Sequence, residues 1–131
     1  MIIGIGSDNL WIERFRRSLT RFGLGYLEET FTPEELERSP CFGDPATFYA
    51  RAFCAKEACS KALGTGITED VDWYDIEIIQ QRDGTEIHLT EGALRQLRSF
   101  TPANAEAVIH ADVRSEKGIA YAFVVIEVRL W

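Results

Sequence analysis

Hydrophobic residues follow two different spacings along the chain, and these spacings predict its strands and helices. Residues 2–7 are rich in isoleucine with little polar alternation, which is typical of a buried strand. A helical spacing follows and predicts an amphipathic helix over roughly residues 10–22. The apolar face of that helix would consist of Ile12, Phe15, Leu19 and Phe22.

Two further helices are indicated by the residues at their ends. Segment 32–35 reads Thr-Pro-Glu-Glu, a capping box with proline at the first helical position, so a short helix should begin there. A longer helix should cover about residues 45–63 and end at Gly64, because glycine readily adopts the left-handed conformation of a helix C-cap. Segment 39–45 contains two prolines and a glycine and is expected to be the loop between these helices.

The second half of the chain alternates between strand and helix patterns. Two strands, residues 74–80 and 86–90, should be joined by the turn Arg82-Asp83-Gly84, and a helix should cover residues 91–100. A second antiparallel pair is expected at residues 105–113 and 119–128. Together these elements predict an α+β fold with a small, mostly antiparallel sheet and a long central helix.

Composition narrows the class of protein. A length of 131 residues fits one domain, residues 1–131, and 46% hydrophobic with 27% charged residues supports a real core. The net charge of −7 argues against a nucleic-acid binder, since such proteins neutralise phosphates with positive charge. No apolar stretch is long enough to cross a bilayer, and the N-terminus lacks a signal-peptide pattern. Three cysteines without a CxxC pair argue against a disulfide framework, so we expect a cytoplasmic protein that binds neither nucleic acid nor membrane.

Positive charge is concentrated near the N-terminus. Residues 1–22 contain four arginines and two acidic residues, whereas the rest of the chain is strongly acidic. Arg14, Arg17 and Arg21 recur at helical spacing on the polar face of the first predicted helix. This arginine stripe fits either a solvated helix face or a docking surface for an acidic partner.

Candidate chemistry is sparse when the residues are taken singly. Asp8 follows an apolar strand and suits either a metal ligand or the N-cap of the next helix. Glu57 and Lys61 stand four residues apart on one helix and suit an exposed salt bridge. His110 falls within a predicted strand, where histidine is more often structural than catalytic. The glycines of segment 4–6 are only a fragment of a dinucleotide-binding fingerprint.

Two segments taken together carry a family resemblance. Residues 4–14 read GIGSDNLWIER, and residues 53–67 read FCAKEACSKALGTGI. The first is similar to the N-terminal motif of the holo-[acyl carrier protein] synthases, and the second resembles that family's F-x-x-K-E-x-x-x-K-A-x-G-T-G motif. These enzymes are small 4'-phosphopantetheinyl transferases, and the resemblance extends over nearly the whole chain. It implies their α+β fold and a homotrimer with a nucleotide site at each subunit boundary.

The resemblance also implies a reaction and a magnesium site. Family members transfer the 4'-phosphopantetheine group of coenzyme A to a serine of apo acyl carrier protein and release adenosine 3',5'-bisphosphate. Asp8 and Glu57 match the family's metal-binding carboxylates, which are the oxygen ligands that Mg²⁺ prefers. Lys61 matches a lysine near the phosphates, where a fixed cation offsets developing charge. Asp8, Glu57 and Lys61 are therefore the expected catalytic residues.

Coenzyme A is expected to contact residues beyond this centre. Besides Lys61, the resemblance assigns Gly64 and Gly66 to the nucleotide, because glycine lets backbone approach a ligand closely. A simple helix stop explains the same two glycines. His110 matches a strand histidine near the coenzyme A site.

Acyl carrier protein is the expected macromolecular partner. Family members dock this acidic protein on their first helix through basic side chains. Arg14 matches a docking arginine directly, Arg21 matches a second, and Arg17 extends the same face. Under the resemblance, the arginine stripe is therefore a partner-binding surface.

Several residues depart from the family pattern on the expected coenzyme A side. Ala52 stands where arginine is usual, Glu86 stands where proline is usual, and Asp112 adds an acidic group after His110. These departures predict weaker coenzyme A binding than is typical of the family, because carboxylates near a polyphosphate repel it unless they are paired. They also keep two alternatives open: a non-catalytic paralogue acting as a binding or regulatory subunit, and a transferase for a specialised carrier protein.

Overall fold

A three-stranded antiparallel sheet forms the centre of the fold. The computed structural model of the protein describes residues 1–39 and 43–131. The strands of the chain are β1 (Ile2–Trp11), β2 (Ile76–Gln81), β3 (Gly84–Leu89), β4 (Ala105–Glu116) and β5 (Ile119–Leu130). The helices are α1 (Ile12–Phe22), α2 (Leu24–Thr30), α3 (Pro33–Arg38), α4 (Pro45–Ala62) and α5 (Glu91–Ser99), with a short 3-10 helix at Trp73–Asp75.

The central sheet has the strand order β1-β5-β4, and β2 pairs with β3 in a separate hairpin. Every pairing among the described strands is antiparallel. The α+β class, the antiparallel sheet and the long central helix predicted from the sequence are therefore confirmed. Within the described part of the chain, no helix is both long and apolar enough to cross a membrane.

Helix α4 packs closely against β1 because both surfaces are nearly free of side chains. A Cβ atom at Gly4 would collide with the carbonyl oxygen of Ala62, and one at Gly6 would collide with that of Ala58. Ala58 and Ala62 are themselves buried. The two glycines thus let a helix lie directly on the strand, which explains them better than a fragment of a dinucleotide-binding fingerprint.

A buried ion pair connects α4 to α3, and hydrogen bonds of the same two residues reach the 3-10 helix and β2. Lys56 Nζ lies 2.8 Å from Glu35 Oε1, and it also donates to the carbonyls of Trp73 and Ile76 at 2.7 Å each. Glu35 accepts in turn from the backbone N–H of Ile78 at 2.8 Å. Burial lowers the pKa of Lys56, and the neighbouring Glu35 carboxylate opposes that shift. This network fixes the orientation of α4, which carries most of the candidate site.

All the predicted helices and strands are present, but several of their bounds differ from the sequence-based expectations. Residues 74 and 75, expected to begin a strand, belong to the 3-10 helix Trp73–Asp75, and β4 continues to Glu116 rather than ending at 113. Strand β1 continues to Trp11, so α1 begins at Ile12 rather than near residue 10. The short helix α2 was not predicted; it begins after Gly23, whose φ of 69° ends α1. The capping box at the start of α3 and the end of α4 near Gly64 are both as predicted.

The loop predicted between α3 and α4 lies partly outside the described residues. The loop expected over residues 39–45 includes Pro40, Cys41 and Phe42, which lie outside the described residues. Cys54 and Cys59 are both free thiols and both are buried.

Candidate active site

Asp8, Glu57 and Lys61 come together where α4 lies across β1. Gly6 faces α4, and strand geometry turns Asp8, two residues further on, to the same face. Lys61 Nζ donates to the Ser7 carbonyl at 3.0 Å and lies 3.5 Å from Asp8 Oδ1. Glu57 stands one helical turn before Lys61 and interacts electrostatically with both Asp8 and Lys61.

The two carboxylates of this group repel each other. Burial raises the pKa of Glu57, the Asp8 charge raises it further, and Lys61 opposes the shift. A second cation between the carboxylates would remove that repulsion. The electrostatics of the site therefore favour binding of a positive ion.

The donor set fits magnesium better than a transition metal. No group of three or more His, Cys, Asp and Glu side chains suitable for a metal occurs among residues 1–39 and 43–131. Mg²⁺ is commonly held by one or two carboxylates together with waters and substrate phosphates, so Asp8 and Glu57 suffice for it. Zinc would be expected to have three or four protein ligands.

Cys54 borders the same site, although no sequence motif singles it out as a site residue. Its thiol donates to the Ala120 carbonyl at 3.5 Å, and burial together with the Asp8 carboxylate raises its pKa to about 12. A thiol that stays protonated is a poor nucleophile. The i, i+3 spacing of Cys54 and Glu57 is the signal that could have placed it here.

Two simple structural interpretations of these residues are wrong. Asp8 does not cap α1, since it lies within β1 and the N-cap position is Trp11. Lys61 forms its ion pair with Asp8 and not with Glu57 within the described residues. Asp8 of β1 and the α4 residues Glu57 and Lys61 thus form a side-chain cluster between the strand and the helix.

Gly64 and Gly66 end helix α4 and line an open space. Their φ angles are 87° and 68°, which glycine adopts without strain. The N–H of Gly64 donates to Lys61 O at 2.9 Å, and that of Gly66 donates to Ser60 O at 3.1 Å. Both N–H groups thus serve the helix end, while a Cβ at either position would meet nothing within 4 Å.

His110 lies on the opposite face of the sheet from Asp8. It pairs with Val125, which in turn pairs with Ile5, whereas Asp8 pairs with Ala122 on the face covered by α4. The His110 Nε2 atom lies 3.0 Å from Oε1 of Glu127. Within one chain, the structure does not bring His110 to the three catalytic candidates.

The arginine stripe is exposed, whereas its neighbour Arg16 on α1 is held in ion pairs. Arg14, Arg17 and Arg21 are exposed and form no ion pair with any described residue. Arg16 instead lies 2.9 Å from Glu13 and 2.9 Å from Asp44. The stripe therefore keeps its positive charge available.

The departures from the family pattern have specific surroundings. Ala52 is only 1% exposed and belongs to the core, so it presents no side chain to a ligand. Glu86 lies 3.3 Å from His88, and Asp112 lies 2.9 Å from Arg114. Asp112 is thus paired with a permanent cation, which reduces the repulsion expected from it, whereas the contact with His88 offsets the Glu86 charge only when the imidazole is protonated.

The chain is similar to known proteins over nearly its whole length. Residues 4–122 match the family model of the 4'-phosphopantetheinyl transferase superfamily. The chain is 47% identical to a holo-[acyl-carrier-protein] synthase of Methylobacterium nodulans, with 97% of each chain covered. It is 45% identical to one of Parvibaculum lavamentivorans, with 98% of this chain and 97% of that one covered.

Solved structures show the same fold. The holo-[acyl-carrier-protein] synthase of Neisseria meningitidis superimposes with a TM-score of 0.84 at 32% identity, covering 97% of this chain and 99% of that one. That of Helicobacter pylori, solved in complex with coenzyme A, gives 0.77 at 30% identity, covering 94% and 99%. The chain belongs to the 4'-phosphopantetheinyl transferase superfamily.

Proposed function

We propose that this protein is a holo-[acyl carrier protein] synthase. It transfers the 4'-phosphopantetheine group of coenzyme A to a serine of apo acyl carrier protein and releases adenosine 3',5'-bisphosphate. The observation that carries the proposal is the meeting of Asp8, Glu57 and Lys61 at the joint of β1 and α4. Relatives with 47% and 45% identity over nearly the full chain carry the same activity in their names.

The reaction needs charge compensation more than a covalent protein nucleophile. The serine oxygen forms a bond to the phosphorus that carries pantetheine, the bond from that phosphorus to the bridging oxygen breaks, and the serine proton leaves to a base. Negative charge accumulates on the departing phosphate. Lys61 is half exposed at the site and supplies a positive charge that offsets it.

Asp8 and Glu57 would hold a magnesium ion. When bound, Mg²⁺ supplies charge neutralisation for the pyrophosphate of coenzyme A. The support is the chemistry of the donor set, two neighbouring carboxylates; burial, and after it the charge of Asp8, raises the pKa of Glu57. Gly64 and Gly66, where an added Cβ would meet nothing within 4 Å, are candidates for coenzyme A contact.

The arginine stripe would dock the carrier protein. Arg14, Arg17 and Arg21 form no ion pair with any described residue, and they lie on a chain whose net charge is −7. Complementary charge steers an acidic partner to one surface while the rest of the protein repels it. Such a partner would meet the enzyme close to Asp8, because α1 follows directly after β1.

A homotrimer is the assembly we propose, through the sheet face opposite α4. That face exposes large apolar side chains, including 69% of Ile5 and 55% of Phe123, and such patches are typical of interfaces. His110 lies in the same cross-strand row as Ile5 and Val125. Association through this face would place His110 at a subunit boundary, where it could contact a nucleotide bound to the neighbouring copy.

We further propose that the protein works in the cytoplasm, as its buried free thiols Cys54 and Cys59 suggest.

Mass spectrometry of a carrier protein tests the activity directly. Apo acyl carrier protein incubated with this protein, coenzyme A and Mg²⁺ should gain the mass of one phosphopantetheine group. The same carrier protein with its acceptor serine changed to alanine should gain nothing. A chain that binds coenzyme A and apo acyl carrier proteins but modifies none of them would instead be a non-catalytic binding subunit.

A further inference from the structure

Helix α4 rests on β1 beside the candidate site through a contact that contains no large side chain. Gly4 and Gly6 lie against the backbone carbonyls of Ala62 and Ala58, where a Cβ atom on either glycine would collide. Interlocking side chains normally fix how far one element is displaced along another. A contact between glycine and backbone provides little of this fixation, although the spacing of the two candidate metal ligands depends on it.

The opposite side of α4 is anchored through one side chain, that of Lys56. It stands two positions before Ala58, which corresponds to about 200° around the helix, so Lys56 points away from β1. Its ammonium group has three donors, and the structure gives it three acceptors. These are Glu35 Oε1 at 2.8 Å and the backbone carbonyls of Trp73 and Ile76 at 2.7 Å each. Every donor of this group is therefore directed at an atom outside α4.

The carboxylate that faces Lys56 is itself held in place. Glu35 Oε1 also accepts from the backbone N–H of Thr32 at 2.8 Å, and its Oε2 accepts from that of Ile78 at 2.8 Å. The side chains of Lys56 and Glu35 are 0% and 1% exposed, so water does not compete for these hydrogen bonds. The anchor thus connects α4 to the first turn of α3 and to β2.

Stability alone does not account for a buried ion pair of this kind. Removing two charges from water costs free energy that their attraction hardly exceeds, and an apolar pair of similar volume is often equally stable. A hydrogen-bonded ammonium group is less tolerant of displacement than an apolar side chain, because its bonds require distances of about 2.7–3.2 Å. The anchor therefore fixes the position of α4 more than it adds stability.

We propose that Lys56 is a positioning residue for Glu57, the carboxylate that follows it in the chain. By fixing how far along β1 and at what rotation α4 lies, Lys56 and Glu35 set the spacing between Glu57 and Asp8 that a divalent cation requires. Lys56 acts through the helix backbone, because its hydrogen-bond partners lie on the side of α4 away from β1. The inference rests on the magnesium site of the proposed function.

Binding of Mn²⁺, a paramagnetic substitute for Mg²⁺, tests this role without turnover. Free Mn²⁺ is measured by electron paramagnetic resonance while each full-length variant is titrated in the presence of coenzyme A, with coenzyme A alone as the blank. Urea unfolding of the same samples gives their stability. No carrier protein is present, so a failure of the transfer reaction, which mass spectrometry detects, leaves these measurements unaffected.

Three variants separate positioning from stability. Lys56→Met removes the anchor and leaves the Glu35 carboxylate buried without its cation, so stability should fall strongly. The double variant Glu35→Gln/Lys56→Met removes that unpaired charge and should regain part of the stability, but it does not restore the anchor. Leu97→Ala is the control, because it opens a cavity beside α5 and lowers stability while leaving the anchor intact.

Both variants that lack Lys56 should bind Mn²⁺ about 10- to 100-fold more weakly than the wild type, as is typical when the support of a metal ligand is removed. Leu97→Ala should bind Mn²⁺ as tightly as the wild type despite its lower stability. The double variant and Leu97→Ala suffice for the comparison should Lys56→Met not fold.

Two results would overturn the positioning role. One is wild-type affinity for Mn²⁺ in either variant that lacks Lys56, and the other is a defect in Leu97→Ala as large as theirs, which would show that affinity simply follows stability. A wild type that binds no Mn²⁺ would overturn the role together with the magnesium site, while the mass of the carrier protein would still decide whether the protein is a transferase.

Discussion

Lys61 Nζ lies 3.5 Å from the Asp8 carboxylate, and the same ammonium group donates to the backbone carbonyl of Ser7, the residue before Asp8, at 3.0 Å. Half of the Lys61 side chain is exposed, and an ion pair of that kind contributes only about 0–1 kcal/mol. The ammonium group can therefore exchange Asp8 for a substrate phosphate at little cost. The contact holds Lys61 at the site without committing it to Asp8.

Removing either carboxylate should abolish transfer and preserve the fold. Asp8→Asn and Glu57→Gln keep the shape of each side chain but remove the charge that would bind Mg²⁺, so the rate should fall by at least about a hundredfold. The rate is measured by mass spectrometry of the carrier protein and the fold by thermal unfolding. Glu106→Gln, an exposed change on β4, should retain full activity. Unchanged turnover of the wild type in EDTA would contradict the magnesium site.

The contact between β1 and α4 should tolerate no added methyl group. Gly6→Ala would drive a Cβ into the carbonyl oxygen of Ala58, so the helix must shift and the free energy of unfolding should fall by about 1–3 kcal/mol. Transfer should fall as well, because the shift moves Glu57 and Lys61 relative to Asp8. Gly25→Ala is the control, since its Cβ meets nothing within 4 Å and α2 should become slightly more stable. Equal stability of the two variants in urea would contradict the close packing.

Helix ends and strand pairs could be predicted from the sequence because local chemistry determines them. The capping box at Thr32 and the positive φ of Gly64 act within a few residues, and both appear as expected. Helix α2 could not be predicted in this way. Its sequence contains Gly25 and only 7 residues, too few to form a helix without the tertiary contacts that stabilise it.

Contacts between distant residues account for what the sequence could not show. Taken alone, Gly4 and Gly6 suggest a nucleotide loop, and only the packing of α4 reveals why they lack side chains. The sequence likewise gives no sign that Lys56 would pair with Glu35 in the core. Only the family motif assigns Asp8 to the site, since its position in the chain taken alone favours a helix cap.

The two described cysteines should resist alkylation in the folded protein. Burial raises the pKa of both Cys54 and Cys59 to about 12, so neither forms appreciable thiolate at pH 8. Peptide mapping after iodoacetamide treatment should find both unmodified, and both modified in urea. The unfolded thiols ionise near pH 9, so this contribution to stability is complete below pH 9 and is lost as the pH rises towards 12. Rapid native labelling of Cys54 would contradict its burial beside Asp8.

The apolar sheet face should be an assembly surface. Phe123→Asp places a charge at the centre of that face and should convert a trimer into monomers, as measured by sedimentation velocity at several concentrations. Phe22→Asp is matched in chemistry and exposure, 59% against 55%, but lies on α1 and should leave the assembly unchanged. A wild type that sediments as a monomer would remove the proposed subunit boundary at His110.

The arginine stripe should govern affinity for the carrier protein and leave coenzyme A binding unaffected. Arg14→Glu and Arg21→Glu reverse exposed charges that have no ion-pair partner among the described residues, so each should raise the KM for carrier protein severalfold. The KM for coenzyme A should stay constant. Arg16→Glu makes the same charge change on the same helix, but Arg16 is already paired with Glu13 and Asp44 and contributes little to an outside partner.

Salt provides an independent measure of the same interaction. Charge attraction between exposed groups is screened over about 8 Å at physiological ionic strength, so the wild-type KM for carrier protein should rise as sodium chloride is added. Reversal of Arg14 should flatten that dependence, because the favourable charge that salt screens is no longer present. Reversal of Arg16 should chiefly lower the melting temperature, since it breaks two ion pairs and leaves the salt dependence intact. A KM that ignores salt, or an Arg16→Glu defect as large as that of Arg14→Glu, would identify the stripe as a solvated helix face.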